Sequence, residues 1–479
     1  MNAIIVVALV YLALLAAFAI WSRSATHSLV GYYLGGRKMP YWVVAFSTNA
    51  TGESGWLLLG LTGMGYAVGA KAYWVVVGEV TGVALAWFYV SRRLKQFSDD
   101  TNSITVPDLL TARFKDHWHL IRGIAVFIIL TMVTAYIAAQ MVATGKAVES
   151  FTDFSYELGI YVGAAVITGY TLVGGYKAVA YTDVLQGVLM LAGLILVPVV
   201  AIYAGGGWGA VSANIAAQDP ALLDLFSFTG DGLAGLVGVL SFLAIGLPFI
   251  GVPQLLARYM SARDDDELKK ARWVSIFVMA SFGLGAVTAG IAGRALFPGL
   301  EGSETETIYP LLSTELFPPL ITGLLLLIVL SAIMSTADSL LLLASSAVVR
   351  DTVQCILGSR KSDERLAIYG KIATLVIGVL GVWLAFKVEA LIFWFVLFAW
   401  SGLGSAFGPV VLCLLYDKKT TGPGVAAGML GGFLTSVVWV VWLKPYTYDL
   451  YEALPGFVVG VIVTLLVSRL TWKGVPTHA

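Results

Sequence analysis

The sequence has few charged residues, few cysteines and few histidines, and each shortage argues against a class of protein. Lys, Arg, Asp and Glu make up 12% of the 479 residues, and their charges cancel to zero. A soluble domain carries about twice that charged fraction, and a nucleic-acid-binding surface needs an excess of positive charge. Cys355 and Cys413 are too few for a disulfide framework, and the four histidines lack metal-site spacing. We therefore expect no soluble domain, no nucleic-acid partner and no transition-metal site.

Hydrophobic residues are abundant, at 58% of the chain. Apolar stretches close to the ~20 residues that a bilayer span needs recur from end to end. The first stretch has no positive charge before its apolar core, so we interpret it as a retained span and not as a signal peptide. We expect an all-α integral membrane protein in the lipid bilayer with about thirteen transmembrane helices, at 3–22, 41–70, 73–91, 120–148, 158–176, 182–204, 233–257, 273–296, 320–349, 367–386, 390–416, 423–443 and 453–471.

The basic residues are distributed unevenly between the connections of these spans. If the N-terminus lies outside, most Lys and Arg residues fall on cytoplasmic connections or on the C-terminal tail. The long outer loops, at about 205–232 and 297–319, are acidic and contain no Lys or Arg. The positive-inside rule therefore predicts an outer N-terminus and a cytoplasmic C-terminus, in the plasma (inner) membrane.

Two of the predicted spans contain helix-breaking residues. Span 41–70 is rich in glycine and is interrupted at residues 51–55, and span 233–257 contains Pro248 and Pro253. Proline removes a backbone donor and clashes with the preceding turn. Broken helices in corresponding positions of two halves are the pattern of an inverted-repeat transporter.

The spacing of these breaks predicts the organisation of the chain. They lie five spans apart, so the second copy would enter the membrane from the opposite side. We expect one transport domain over 1–479, divided into a first helix and loop (1–40), repeat 1 (41–204), repeat 2 (233–416) and two C-terminal helices (417–479).

Four acidic residues fall within or beside the apolar spans: Glu53, Glu79, Asp183 and Asp338. An ionised carboxylate in hydrocarbon is costly, so each should face the protein interior, water or a cation. Glu53 either adds charge to a cation site or braces the break, and Asp183 either binds a cation or caps a helix start. For Glu79, a protonated or snorkelling side chain and a ligand remain alternatives.

Asp338 belongs to a helical face that carries several oxygen atoms. Ser335, Asp338 and Ser339 stand at i, i+3 and i+4, and therefore point to one side of a helix. Hydroxyl and carboxylate oxygens are hard ligands that suit Na⁺. The alternatives are a helix-packing face and hydroxyls that bond back to carbonyls of their own helix.

Several strings in the sequence resemble one family closely. Thr171-Leu172-Val173-Gly174-Gly175-Tyr176-Lys177-Ala178-Val179, followed by Thr182, Asp183 and Gln186, resembles the signature of the sodium:solute symporters. The strings at 54–58, 253–258, 334–336 and 406–411 are similar to those of its sodium/proline symporter branch. The resemblance extends over nearly the whole chain.

This resemblance implies a LeuT-type fold of 5+5 inverted helices, with one helix before and two after, which works by alternating access. It also implies sodium as the coupling ion, no organic cofactor, a small organic solute as partner, and a functional monomer. The sodium site would be formed by Ala50, Glu53, Ala332, Ser335 and Thr336. A second sodium site would be formed by Asp183, Ser335, Asp338 and Ser339. The substrate pocket would draw on Ser54, Trp56, Tyr136, Gln140, Phe249, Pro253, Trp400 and Ser401.

The sequence departs from the proline branch at four positions near the two breaks. Gly52 and Glu53 stand where that branch has Asp and Met, and Ile245 and Phe249 stand where it has Trp and Tyr. The loss of an indole donor and a phenol changes both the size and the hydrogen bonding of a pocket. We expect sodium-coupled symport of an amino acid such as proline or of a related small carboxylate.

Other functions predict different features. A proton-coupled carrier would use Glu53 or Asp338, and uptake would follow a pH gradient without sodium. A non-transporting membrane sensor should carry a soluble signalling domain, and a channel should show rings of carbonyls or charges. The sequence contains no nucleophile and base at a spacing that would indicate an enzyme.

Overall fold

In a computed structural model, residues 2–114, 116, 119–227, 232–387 and 392–473 are described, and the side chains of 2–5 and 392–395 are left aside. The described chain is built from α-helices. The first half contains α1 (Asn2–Ser22), α2 (Leu29–Leu34), α3 (Tyr41–Gly55), α4 (Thr62–Val68), α5 (Tyr73–Leu85), α6 (Ser91–Asp100), α7 (Val106–Ala112), α8 (Leu120–Phe151), α9 (Tyr156–Ala204) and α10 (Trp208–Gln218).

The second half continues with nine further helices within the described ranges. These are α11 (Leu233–Ala244), α12 (Pro253–Ser261), α13 (Asp265–Leu296), α14 (Ile308–Leu316), α15 (Pro319–Ser346), α16 (Asp363–Ala385), α17 (Ile392–Tyr416), α18 (Gly422–Val438) and α19 (Ala453–Thr471). The predicted start of span 390–416 lies outside the described residues.

Eleven helical segments in the described chain are long and apolar enough to cross a membrane. Two of them, Tyr41–Asp100 with 60 residues and Tyr156–Ala204 with 49, far exceed the ~20 residues of one crossing. Within the second, Gly175 has a left-handed backbone (φ 58°). The interval 177–181, which was predicted to connect two spans, is therefore helical, because helical hydrogen bonding resumes directly after this one kinked residue.

Both predicted helix breaks are present. In the first, Ser54 has φ 55° and ψ −173°, and a π-helical segment, Trp56–Leu61, joins α3 to α4. In the second, α11 ends at Ala244, and a 3₁₀ turn, Leu247–Ile250, precedes α12. Pro253 is the first residue of α12, where a missing N–H costs nothing.

Glycines bring α5 against the second break. A Cβ atom on Gly82 would lie 1.9 Å from the carbonyl oxygen of Gly246, and one on Gly78 would lie 2.4 Å from that of Leu243. Only residues without a side chain permit this approach of two backbones. Glu79, between these glycines in sequence, is thereby held beside the break.

The interior of the bundle is formed by α3, α8, α15 and α17, where most side chains are buried. The outer helices α1, α16 and α19 instead expose large apolar side chains, such as Leu9, Val379 and Leu466. Apolar faces of this kind are stable against lipid, so the bundle is built for a bilayer.

Candidate ion and solute site

Two hydroxyls of α15 meet the backbone of α3 just before its break. Ser335 Oγ donates to the carbonyl of Ala50 at 2.8 Å, and Thr336 Oγ1 donates to that of Thr51 at 3.0 Å. Ser335 Oγ also lies 3.1 Å from the carbonyl of Ala332 on its own helix. Four of the five residues predicted for the sodium site therefore lie together, fully buried. The fifth, Glu53, follows at the end of α3, and its side chain reaches a neighbouring cavity.

Asp183, on α9, faces the part of α3 that precedes its break. Its Oδ2 atom accepts hydrogen bonds from Ser47 at 2.6 Å and Thr51 at 3.4 Å. Ser47 and Thr51 were not predicted as site residues. Their four-residue spacing, which places both hydroxyls on one face of the helix, is the signal that could have identified them.

The remaining residues of the predicted second sodium site adjoin this cluster. Ser339 Oγ lies 3.1 Å from Thr51 Oγ1 and 3.1 Å from Asp338 Oδ1. It also donates to the Ser335 carbonyl of its own helix at 2.9 Å, as expected if these hydroxyls bond back to their own helix. Asp338 Oδ2 accepts a hydrogen bond from Tyr170, so Asp338 turns towards α9.

Arg258, in the last turn of α12, was also not predicted as a site residue. It is 2% exposed, and its Nη2 atom lies 3.3 Å from Asp183 Oδ2 and also contacts Ser339 Oγ. It donates to Thr51 Oγ1 at 2.8 Å and to Ser47 Oγ at 3.2 Å. A built-in cation therefore lies beside the carboxylate predicted to bind a second sodium. The sequence had assigned Arg258 to a cytoplasmic connection because it follows the apolar run.

A cavity of about 240 Å³ lies between the two breaks. Its lining contains five of the predicted substrate residues, Ser54, Trp56, Tyr136, Phe249 and Trp400, together with Gly52, Glu53, Glu79, Ile245, Val396 and Leu397. The Trp400 ring packs edge-on against Phe249 with centroids 4.9 Å apart. Its indole N–H donates to the Ile245 carbonyl at 3.2 Å, so Trp400 also braces the second break.

Three predicted substrate residues are not in this lining. Gln140 Oε1 accepts from the backbone N–H of Gly55 at 3.2 Å and supports the first break. Ser401 Oγ donates to Glu452 at 3.2 Å. Pro253 lines a different cavity, of about 390 Å³, beside Arg258.

A third cavity, of about 1,090 Å³, lies on the other side of the small one. The two share Ile245 and Leu397, and the large cavity extends to residues of the 302–306 and 444–451 segments. The small cavity therefore adjoins the large one, whereas Arg258 and its partners lie on the opposite side of the small cavity.

A small cavity at two interrupted helices, inside a bundle of membrane-spanning length, is the arrangement of a secondary transporter. The chain belongs to the sodium:solute symporter family, whose sequence model matches residues 32–432. A sodium/proline symporter of Staphylococcus aureus is 36% identical over 475 residues, which cover 97% of this chain and 92% of that protein. The same symporter from S. aureus strain JH9 is 36% identical over 462 residues, 94% and 89% of the two chains.

Solved structures show the same fold at much lower identity. A substrate-bound, outward-open Na⁺-coupled sialic acid symporter superposes with a TM-score of 0.82 at 18% identity, and covers 98% of both chains. A nucleobase-cation-symport-1 family transporter, closed around bromovinylhydantoin, has a TM-score of 0.56 at 14% identity, over 95% and 97% of the chains. The chain is thus a multi-pass membrane protein whose function is sodium-coupled solute symport.

Proposed function

We propose that the chain couples sodium entry to the uptake of an amino acid such as proline or a related small carboxylate. The observation that supports this most directly is the contact of Ser335 and Thr336 with the carbonyls of Ala50 and Thr51 at the first break. Sodium binds there between the carbonyls of Ala50, Glu53 and Ala332 and the two hydroxyls. Asp183, Ser335, Asp338 and Ser339 form the second sodium site, at which Arg258 competes for Asp183.

The solute binds in the cavity lined by Ser54, Trp56, Tyr136, Phe249 and Trp400. Gln140, Pro253 and Ser401 lie outside this lining and support the residues that form it. The name of the S. aureus relatives supports an amino acid as the class.

The proposed topology has about thirteen crossings, an outer N-terminus and a cytoplasmic C-terminus. The 60-residue segment turns at Gly69 (φ 64°) between α4 and α5, and the 49-residue helix kinks at Gly175, so each supplies two crossings. Two five-helix units, 41–204 and 233–416, then each begin with a broken helix. The protein works as a monomer in the plasma (inner) membrane.

Alternating access follows from this arrangement. The wide cavity lies on the outer side, and Arg258, Asp183 and Ser339 close the cytoplasmic side. Release inward requires these contacts to separate. Each sodium that moves across an inside-negative membrane contributes about 2.3 kcal/mol per 100 mV to this cycle.

The test is solute uptake into proteoliposomes that contain the purified protein. We expect accumulation with an inward sodium gradient and none with an equal potassium gradient. Accumulation that is indifferent to sodium would contradict the proposal.

Proton coupling is a second candidate, and one observation favours it. Neither carboxylate oxygen of Glu53 has a hydrogen-bond partner in the described part of the protein, so this side chain is free to take up a proton. An inward pH gradient without sodium would then drive uptake in the same proteoliposomes.

A further inference from the structure

Two buried acidic side chains line the solute cavity. Glu53 and Glu79 are 1% and 2% exposed, and both belong to its wall. Both carboxylate oxygens of Glu53, and Oε2 of Glu79, lack a hydrogen-bond partner among the described residues. Three other buried acids have partners: Asp183 contacts Arg258, Glu452 lies 3.0 Å from Lys444, and Asp338 accepts a hydrogen bond from Tyr170.

No side chain of opposite charge accompanies these two acids in the described lining, which contains no Lys, Arg or His. Arg258 belongs to a different cavity and is engaged with Asp183. The other large side chains of the wall are aromatic: Trp56, Tyr136, Phe249 and Trp400. Aromatic faces attract cations through the quadrupole of the ring.

Two buried carboxylates without a cationic partner are stabilised by positive charge on a bound solute, because an unpaired buried charge is costly, and without such a solute they take up protons. The sodium ion of the proposed function lies at Ala50, Ser335 and Thr336, and it uses the carbonyl of Glu53, not its carboxylate. A zwitterion such as proline brings one ammonium group but also a carboxylate. Its net charge of zero leaves the two acids uncompensated.

We propose that the solute carries a net positive charge: a short diamine, a diamino acid or a guanidine. Its ammonium or guanidinium group lies between Glu53 and Glu79 and against the rings of Phe249 and Trp400. The inference rests on the proposed sodium symport and assigns to it a cationic solute in place of proline or a small carboxylate. It also gives a function to Glu79, which α5 delivers to the cavity through the close approach of Gly78 and Gly82 to the second break.

The test compares cationic and zwitterionic solutes in one panel. The melting temperature of the purified protein, in sodium or in potassium, is measured with putrescine, ornithine or arginine, and separately with proline or glutamate. Uptake of the same radiolabelled solutes into proteoliposomes is measured in parallel. We expect sodium-dependent stabilisation and uptake for at least one cation, and weaker effects of proline and glutamate.

Variants then assign the effect to the two acids. Glu79→Gln and Glu53→Gln each remove one charge with almost no change of shape, and should weaken binding of the cation by about tenfold or more. The affinity for proline should stay the same or rise. Glu315→Gln, which alters an exposed acid on α14, is the matched control and should behave as the wild type. The melting temperature in sodium without solute shows which variants are folded. One folded variant, either Glu79→Gln or Glu53→Gln, is enough for the test.

The outcomes separate the inference from the proposed function. Sodium-driven uptake of proline with no response to any cation overturns the inference and leaves symport intact. Unchanged cation affinity in a folded Glu79→Gln or Glu53→Gln variant also overturns it. Uptake driven by a pH gradient without sodium overturns the proposed function and indicates that the two acids bind the coupling protons.

Discussion

At the scale of single residues, hydroxyls and charges at the first break define the ion chemistry. Ser335 and Thr336 each satisfy a carbonyl of α3, and each has lone pairs left to offer to a cation. Their position was expected from the resemblance to the family. The charge of Arg258 beside Asp183 was not expected, and under the proposed function it competes with sodium at the predicted second site.

Replacing Ser335 by Ala should weaken sodium binding. A hydrogen-bonding group next to a charge contributes about 1.5–3 kcal/mol, so we expect the apparent sodium affinity to fall by about 10- to 100-fold. Sodium titration of solute uptake measures this. Ser281→Ala is the control, since that hydroxyl bonds only to Phe277 of its own helix. If both variants keep the wild-type sodium affinity, Ser335 is not a ligand.

Replacing Arg258 by Gln should have two opposite effects. The loss of the guanidinium frees Asp183 for sodium, so binding of sodium in the absence of solute should tighten. Transport should slow, because the contacts of Arg258 with Asp183, Thr51 and Ser339, which we propose to close the cytoplasmic side, are lost. Tryptophan fluorescence during sodium titration and the rate of uptake measure the two effects. Arg469→Gln, at an exposed pair with Asp417, should alter neither, and weaker sodium binding in Arg258→Gln would refute the competition.

At the scale of elements, the interrupted helices create the site, and their neighbours hold the interruptions open. Gln140 supports the first break, and Trp400 supports the second. The helix α5 packs against the second break through Gly78 and Gly82. The breaks are therefore stabilised from several helices, and the freed backbone groups remain available to an ion or to neighbouring side chains.

A Cβ atom at position 82 should push α5 away from the second break. In Gly82→Ala, that atom would lie 1.9 Å from the Gly246 oxygen, and overpacking of this kind costs about 1–3 kcal/mol or more. The melting temperature in detergent should fall. Gly169→Ala, on α9, has no heavy atom within 4 Å of the added Cβ and should stabilise by roughly 0.5–1 kcal/mol. Equal melting temperatures for the two variants would contradict this packing.

At the scale of the whole molecule, the proposed ion site and the proposed solute cavity share one helix break. Ala50 and Glu53 belong to both the end of α3 and the ion site, and the Glu53 side chain reaches the cavity. An ion that orders this break also orders the cavity wall. Sodium and solute should therefore bind with positive cooperativity.

This coupling makes a quantitative prediction. Sodium should raise the affinity for the transported solute by the same factor by which that solute raises the affinity for sodium, about 5- to 150-fold. Two calorimetric titrations, one in each order, measure both factors. Ser335→Ala should lower both equally. A solute affinity that is the same in sodium and in potassium would contradict the coupling through a shared break.

Much of the fold was predictable from local patterns. The length of each apolar run indicated a membrane helix, and Pro248, Pro253 and the glycines near residue 52 indicated the breaks. These features depend on residues close in sequence, because hydrophobic length and backbone freedom are local properties. The interval 177–181, which was predicted as a connection, is helical, since one left-handed glycine turns the chain within a continuous helix.

The sequence by itself determined that this chain is a bundle of membrane helices with two breaks, and its family strings indicated sodium. Only the tertiary structure decided which polar groups meet. Arg258 reaches Asp183 from 75 positions away, and Glu79 reaches the cavity because α5 packs on a helix more than 150 residues further along the chain. Such meetings depend on how helices approach one another in space, which neither the hydrophobic pattern nor the spacing of residues along one helix encodes.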